Sequence, residues 1–351
     1  MVRTIDWIDD AVELIDQTLL PQDEVVLRIT QVDDLIDAIG RLAVRGAPAL
    51  GVAGAFGVVL AARAHDPATD PDTFGVEVAR LRDARPTAVN LARGVDLAVA
   101  AAADGPDGAL AAARELRDDE VAASWSMSAY GADLAEELAG DAIRAMTVCN
   151  TGGLAAVERG TALGVIEELH ERGRLAEALP IETRPLLQGG RLTTWELGRM
   201  GAPHRLLVDS AGPFILSRGG ADLVVAGADR IAVDGATANK IGTFSLALGA
   251  RHAGVPFVIV APESTVDPGT ATGDEIEIED RGAAEVISVR DTPIALPSTD
   301  ALNPAFDVTP AELITAIVTD RRVIRLDRGE TLASVPLGER RAGDRASSAA
   351  R

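Results

Sequence analysis

The sequence predicts an α/β protein in two parts: a mostly helical domain over residues 1–125, then a parallel-sheet domain over 126–337, with 338–351 as a disordered tail. Three observations carry this. The first part is rich in alanine and in apolar residues at helical spacing. From Ala142 onward, short apolar runs alternate with helical segments, which is the pattern of βαβ units and a parallel sheet. Finally, Leu223-Val224-Val225-Ala226 is apolar at every position, as expected of a strand buried on both faces.

Taken in order, residues 4–18 and 24–30 read as short strands, with Asp16-Gln17 between hydrophobic runs and Pro21 at a turn. Val32 to Leu42 places Leu35, Ile36, Ile39 and Leu42 at helical spacing behind a cap at Asp33. Pro48 after Arg45-Gly46-Ala47 marks the start of a small-residue helix. Residues 91–121 read as helix interrupted by Asp104-Gly105-Pro106-Asp107-Gly108. In the second part the expected strands are Ala145–Cys149, Leu179–Thr183, Leu206–Val208, Leu223–Ala226 and Phe257–Ala261, with a short last one at Val323-Ile324-Arg325. The expected helices between them are Gly160–Arg172, Thr193–Arg199 and Phe244–Ala253.

Composition narrows the function. With 351 residues and 47% hydrophobic content the chain can bury a large core, and with 3% aromatics that core is aliphatic. A formal net charge of -21 argues against nucleic acid and anionic membrane surfaces as partners, because both call for a basic patch. An anionic substrate would need its own local basic pocket. One cysteine excludes an internal disulfide framework and fits a reducing compartment. The N-terminal MVRTIDWIDDAVELID lacks the basic and apolar regions of a signal peptide, and no run approaches the ~20 apolar residues of a membrane span. The expected location is the cytoplasm.

Two singletons stand out. Lys240 is the only lysine, so a compact ammonium is kept where arginine serves everywhere else. It follows Asn239, and both come shortly after Asp229, which sits just past the expected strand Leu223–Ala226. Ligands of open α/β sheets bind outside the carboxyl ends of the strands. Cys149 also follows an apolar run and precedes Asn150-Thr151-Gly152-Gly153. Lone cysteines more often serve as inert core residues, but the glycine-rich turn favours a functional reading here. Four loops, 149–153, 182–191, 209–212 and 227–230, follow expected strands and would form one rim. Gly152-Gly153 ahead of a helix could present N–H groups to a phosphate, yet the chain has neither GxGxxG nor a Walker loop, and its four histidines are scattered. Arg45 and Arg85, set beside Gly46 and Pro86, are candidate phosphate ligands.

Six ordered segments, RGAPALGVAGAFG (45–57), ARPTAVNL (84–91), CNTGGLA (149–155), ETRPLLQGGRLTTWEL (182–197), GADRIAVDGATANKIGT (227–243) and NPAFDVTPAELITAIVTD (303–320), closely resemble the methylthioribose-1-phosphate isomerase family, relatives of the regulatory subunits of translation initiation factor 2B. The resemblance runs from residue 4 to about 336. It implies a small N-terminal helical domain, a Rossmann-like C-terminal domain, a homodimer, and cofactor-free conversion of 5-methylthioribose 1-phosphate to 5-methylthioribulose 1-phosphate in methionine salvage. It places the catalytic acid on Asp229 and the catalytic cysteine on Cys149. Substrate contacts fall on Arg45, Gly46, Ala47, Arg85, Gln188, Asn239 and Lys240. The chain departs from the family's usual wording at Val148, Thr151 and Gly153, in SWSMSAYGADL (124–134) and in DSAG (209–212).

A sugar esterified at its anomeric oxygen cannot open freely, so the ring must break with the phosphate in place. The expected mechanism has Asp229, kept protonated in an apolar, water-poor pocket, donating to the ring oxygen while Cys149 handles the proton or charge moving between C1 and C2. Two alternatives remain open: an isomerase of 5-deoxyribose 1-phosphate or ribose 1,5-bisphosphate, and a non-catalytic regulatory protein.

Overall fold

The computed structural model describes residues 3–86, 88–290 and 292–341. The chain divides into two compact units, Met1–Ala122 with Gly152–Gly160, and Ala123–Thr151 with Thr161–Arg351.

In the first unit the apolar run near the N-terminus breaks into a hairpin. Strands β1 (Ile5–Ile8) and β2 (Ala11–Ile15) pair antiparallel, with Ile8 opposite Ala11. The two residues between them, Asp9 and Asp10, take φ of 44° and 64°, the left-handed pair that matches strand twist in a tight hairpin. β3 (Val26–Ile29) adds to β2. Helix α1 (Val32–Gly40) buries Val32, Leu35, Ala38 and Ile39, one stripe at three- and four-residue spacing. It begins after Gln31 rather than at a cap on Asp33. α2 (Ala47–Ala64) is apolar on all sides and buries Pro48 through Ala62. By length and composition it is the one helix among the described residues that could cross a membrane, yet 83% of it is buried in the fold, as in a core helix. α3 (Pro71–Arg82) is capped by the Asp70 carboxylate, which accepts from Thr73 N–H. α4 (Val89–Ala101) ends in a short 3₁₀ turn, and α5 (Gly105–Ala139) continues past the unit boundary at Ala122–Ala123.

The second unit is built on a six-stranded sheet. Its members are β4 (Ile143–Thr147), β5 (Leu175–Pro180), β6 (Leu223–Ala226), β9 (Phe257–Val260), β13 (Ala316–Val318) and β14 (Val323–Ile324), in the order β14-β13-β9-β6-β4-β5. All neighbours are parallel except β13 and the edge strand β14. Because side chains alternate along a strand, the sheet feeds two cores. Leu223, Val225, Val258 and Val260 pack with α5 and with α6 (Ala162–Glu171), through Met127, Leu163 and Ile166. Val224, Ala226, Phe257 and Ile259 pack on the other side with Leu216 of α8 (Ala211–Ser217) and Leu246 of α9 (Thr243–Ala253). Helices on both faces of a mostly parallel sheet make the expected α/β architecture.

A smaller antiparallel sheet holds β7 (Arg230–Ile231), β8 (Thr237–Lys240) and β12 (Phe306–Thr309), with β8 in the centre. Two further pieces are α7 (Thr194–Met200) and, after α10 (Ala284–Ile287), a ribbon of β10 (Ser288–Val289) and β11 (Thr292–Pro293).

Several boundaries differ from expectation. β4 starts two residues earlier and stops at Thr147, and β5 starts four residues earlier. Each carries a charged residue near its start that is paired: Arg144, second in β4, with Asp222 at 2.6 Å, and Glu177, third in β5, with Arg205. Leu206–Val208 is not a strand. The segment touches β5 through isolated bridges, Ala178 to His204 and Ile181 to Leu207, and Pro180 has no N–H to extend the ladder. The segment Gly152–Gly160, expected in the second domain, packs with the first unit: Thr4 N–H donates to Val157 carbonyl at 3.0 Å, and Gln17 Nε2 to Leu154 carbonyl at 2.6 Å. Nor is the chain from 338 onward disordered throughout. Gly338 N–H donates to Arg321 carbonyl at 3.0 Å and Arg340 Nε to Asp320 at 2.7 Å, while 342–351 lie outside the described residues.

Candidate active site

The chain leaves β4 at Thr147 and reverses through Cys149, whose φ is 64°. That conformation is rare for a residue other than glycine, asparagine or aspartate. Cys149 N–H donates to Thr183 Oγ1 at 2.9 Å, and Thr193 Oγ1 donates to Cys149 carbonyl at 2.7 Å. The cysteine is 9% exposed. Asn150 beside it donates through Nδ2 to the Glu196 carboxylate, and Thr151 Oγ1 accepts from Leu163 N–H at 3.0 Å. Gly152 and Gly153 do not open α6. They begin a three-residue 3₁₀ turn (Gly153–Ala155) inside the first unit, and α6 starts only at Ala162.

β6, which pairs with β4, ends at Ala226, and Asp229 follows three residues later with its N–H donating to Ala238 carbonyl at 2.9 Å. Cys149 and Asp229 thus leave neighbouring parallel strands at the same, carboxyl edge. The turns that follow approach each other closely as well: a Cβ added at Gly227 would stand 2.8 Å from Thr151 Cγ2. In one respect the expectation fails. Asp229 is exposed, not enclosed in an apolar, water-poor pocket.

Asn239 and Lys240 lie on β8 rather than on a loop, and successive strand residues point to opposite faces. Their side chains accordingly take different partners. Asn239 is buried with Nδ2 donating to Thr243 Oγ1 at 2.9 Å. Lys240 Nζ donates to Ala305 carbonyl at 2.7 Å and stands 4.4 Å from the centre of the Phe306 ring. Asp307, opposite Asn239 in the β12–β8 register, accepts from Gly242 N–H at 2.7 Å and Phe244 N–H at 3.1 Å, closing the start of α9. Its burial pushes the Asp307 carboxyl up to about 6, against the pull of those two N–H groups and of Lys240.

Gln188 sits in the loop after β5 and is 5% exposed, and its Oε1 has no hydrogen-bond partner among the described residues. The loop is pressed against the strand end. A Cβ on Gly189 would stand 1.7 Å from Ile181 carbonyl oxygen, so only glycine fits there. Asp209 ties the 209–212 loop to the same place by accepting from Thr183 and Arg184 N–H, each at 2.7 Å.

Arg45, Gly46, Ala47 and Arg85 belong to the first unit. Gly46 caps α2 with φ 92°, and a Cβ there would meet Ala155 carbonyl oxygen at 2.2 Å. Ala47 is the first residue of α2, and Arg45 is buried. Arg85 lies between α3 and α4, half-buried, with its carbonyl accepting from Ala88 N–H at 2.9 Å. Among the described residues no three His, Cys, Asp or Glu side chains cluster to hold a metal ion.

Thr183, Thr193, Asp209 and Asp307 were not singled out in the sequence, although all lie inside or beside segments that were. Their signal is positional: Thr183 and Thr193 support the backbone of Cys149, Asp209 supports that of Thr183 and Arg184, and Asp307 that of Gly242 and Phe244.

The Initiation factor 2 subunit family model matches residues 43–325. A protein of Nocardia farcinica, named as a probable bifunctional methylthioribose-1-phosphate isomerase/methylthioribulose-1-phosphate dehydratase, is 48% identical over 92% of this chain, which spans 59% of that protein's length. A methylthioribose-1-phosphate isomerase of Pelotomaculum thermopropionicum is 44% identical, with 95% of this chain and 93% of that protein covered. A 5-deoxyribose 1-phosphate isomerase of Moorella thermoacetica is 43% identical over 97% and 99% of the two chains. Among solved structures, 5-methylthioribose 1-phosphate isomerase from Pyrococcus horikoshii superposes with a TM-score of 0.86 at 37% identity, covering 93% of both chains. The translation initiation factor eIF-2B delta subunit from A. fulgidus gives 0.83 at 41% identity, covering 93% and 96%. On these grounds the chain belongs to the initiation factor 2 subunit family, among its methylthioribose-1-phosphate isomerases.

Proposed function

We propose that the protein is an aldose–ketose isomerase that converts 5-methylthioribose 1-phosphate to 5-methylthioribulose 1-phosphate in methionine salvage, acting in the cytoplasm as a homodimer. The observation that carries this reading is the placement of a lone thiol and an acid at the carboxyl edge of adjacent parallel strands, Cys149 after β4 and Asp229 after β6. A buried amide oxygen without a partner among the described residues, Gln188 Oε1, supports it. Leaving such an acceptor unsatisfied costs about 1–3 kcal/mol, which a sugar hydroxyl would recover.

In this reading Asp229 gives its proton to the ring oxygen as the C1–O bond breaks, leaving positive charge at C1 beside the phosphate ester. The hydrogen on C2 then passes to C1, and the C2 hydroxyl returns a proton to Asp229 as it becomes the ketone. Atoms and charge balance, and no co-reactant is consumed. The hydrogen travels either directly as hydride, with Cys149 shaping the dry surface it crosses, or as a proton carried by the Cys149 sulfur. Asp229 is exposed, and a bound substrate would displace water and bring a phosphate dianion close to the carboxyl, both of which favour its neutral form. Lys240, Asn239 and Gln188 serve as contacts to the sugar ester. Arg45, Gly46, Ala47 and Arg85 serve as phosphate contacts, since the start of α2 has no side-chain cap and carries the positive end of an 18-residue helix dipole.

The 43% identity to the Moorella thermoacetica protein favours one second reading, 5-deoxyribose 1-phosphate as substrate. Both are decided by incubating the protein with each sugar phosphate in D₂O and following the ketose by NMR. The proposal expects turnover of the methylthio sugar at no less than the rate of the deoxy sugar. Deuterium at C1 would assign the proton route. No turnover of either sugar would leave a regulatory, non-catalytic protein.

A further inference from the structure

We propose that Thr183 and Thr193 are positioning residues that hold the Cys149 thiol in its reacting direction by clamping the cysteine backbone in the left-handed region; this rests on the reading of Cys149 as a group of the reaction. The ladder of β4 stops at Thr147, so the N–H and carbonyl of Cys149 cannot be satisfied by the sheet. Two threonine hydroxyls take over, Thr183 Oγ1 accepting from the N–H at 2.9 Å and Thr193 Oγ1 donating to the carbonyl at 2.7 Å. Neither hydroxyl is a free rotor. Thr183 Oγ1 spends its own proton on Ile181 carbonyl at 3.1 Å, and Thr193 Oγ1 accepts from Asn150 Nδ2 at 3.3 Å. Both threonines are 1% exposed.

Behind the clamp stands a second support. Thr183 itself has φ 65°, and the Asp209 carboxylate holds it there by accepting from Thr183 N–H and Arg184 N–H, each at 2.7 Å. Two consecutive supports for one unfavourable φ are the mark of a site where surroundings over-determine the backbone. The direction of the Cα–Cβ bond follows from φ, so releasing Cys149 to an ordinary negative φ would redirect its sulfur. Hydroxyl contacts of this kind leave substrate affinity alone and act on the geometry of the reacting group.

The chain's single cysteine makes the test clean, because iodoacetamide reports on Cys149 directly. Thr183→Val, which keeps the shape and removes both hydrogen bonds, is expected to lower kcat by about 10–100-fold with KM within about threefold, since small displacements of a reacting group cost that much. It is also expected to raise the alkylation rate of Cys149 by about fivefold as the turn loosens and exposes the thiol. Thr183→Ser, which keeps the hydroxyl, should restore both to within about threefold of the parent. If Thr183→Val does not fold by thermal melting, Thr193→Val is measured in its place with the same expectation. Parent-like kcat and alkylation in the valine variant would overturn the clamp. A parallel Cys149→Ala variant separates the two ideas: near-normal turnover there would sink the catalytic reading of Cys149, while the alkylation arm still decides the clamp.

Discussion

The turn after β4 and the turn after β6 leave adjacent strands of one sheet, and they prepare their functional groups in opposite ways. Cys149 is 9% exposed, with its N–H and its carbonyl both held by buried hydroxyls. Asp229 is exposed and anchored through its N–H to Ala238 carbonyl. In the proposed reading the thiol is placed by the fold before any substrate arrives, whereas the exposed acid would gain part of its working environment from what binds. A preorganised group lowers the barrier without cost at the moment of reaction, and an acid that must stay protonated near neutral pH profits from a neighbour that is present only in the complex.

Removing the proton donor should have the largest effect. Asp229→Asn is expected to cut kcat by about 10³-fold with the fold intact, at the upper part of what general acid catalysis supplies. Cys149→Ser should cost about 10²-fold, because the serine hydroxyl keeps the position but not the acidity or softness of the thiol. Steady-state kinetics on both, beside circular dichroism, checks this. The comparison breaks if the acid is dispensable and the thiol is not, or if either variant turns over at the parent rate.

The next effect bears on stability rather than rate, in the sheet that carries Asn239 and Lys240. The Asp307 carboxyl is raised to about 6 by burial, from 3.8 in its ordinary state. A carboxyl raised on folding contributes stability that is fully present below the unfolded value and lost as pH rises through the folded one. Wild-type stability relative to Asp307→Asn is therefore expected to fall by about 2 kcal/mol between pH 4 and pH 7. Urea unfolding of both proteins across that range measures the difference, which removes the opposite contribution of carboxylates paired with arginine, such as Asp6 and Asp16. A difference that stays flat across the window would mean that Asp307 is not desolvated in the folded state.

These contrasts also explain which features were legible in the sequence. Leu223–Ala226 was located to the residue because a strand buried on both faces has no polar position to confuse it. β4 and β5 were displaced by two and four residues because Arg144 and Glu177 are satisfied by Asp222 and Arg205, partners that no periodicity announces. Lys240, Asp229 and Cys149 could be singled out by rarity and by their place after apolar runs. Thr183 and Thr193 could not. Their roles depend on hydrogen bonds to a residue 34 and 44 positions away, in segments where threonine is otherwise unremarkable. The same holds for Gly152–Gly160, whose assignment to the first unit rests on contacts with Thr4 and Gln17. Period and composition reveal which faces are buried; they are silent on polar contacts between distant segments.

The smallest expected effect tests the middle ground between the two turns, the loop after β5 that carries Gln188. Its side chain is 5% exposed and its oxygen is unsatisfied among the described residues, so it is held by the fold as Cys149 is, yet in the proposed reading completed by the ligand as Asp229 is. Gln188→Leu keeps the volume and removes the polar end. If the oxygen accepts from the sugar in ground state and transition state alike, KM should rise by about tenfold, one ordinary hydrogen bond, with kcat within about twofold. Folded-state stability should rise at the same time, because an unsatisfied buried acceptor has been replaced by an apolar group. A lower kcat at unchanged KM would move Gln188 to the side of Cys149, as a group whose contact forms only as the ring opens. Unchanged kinetics with higher stability would instead mean that the oxygen never meets the substrate.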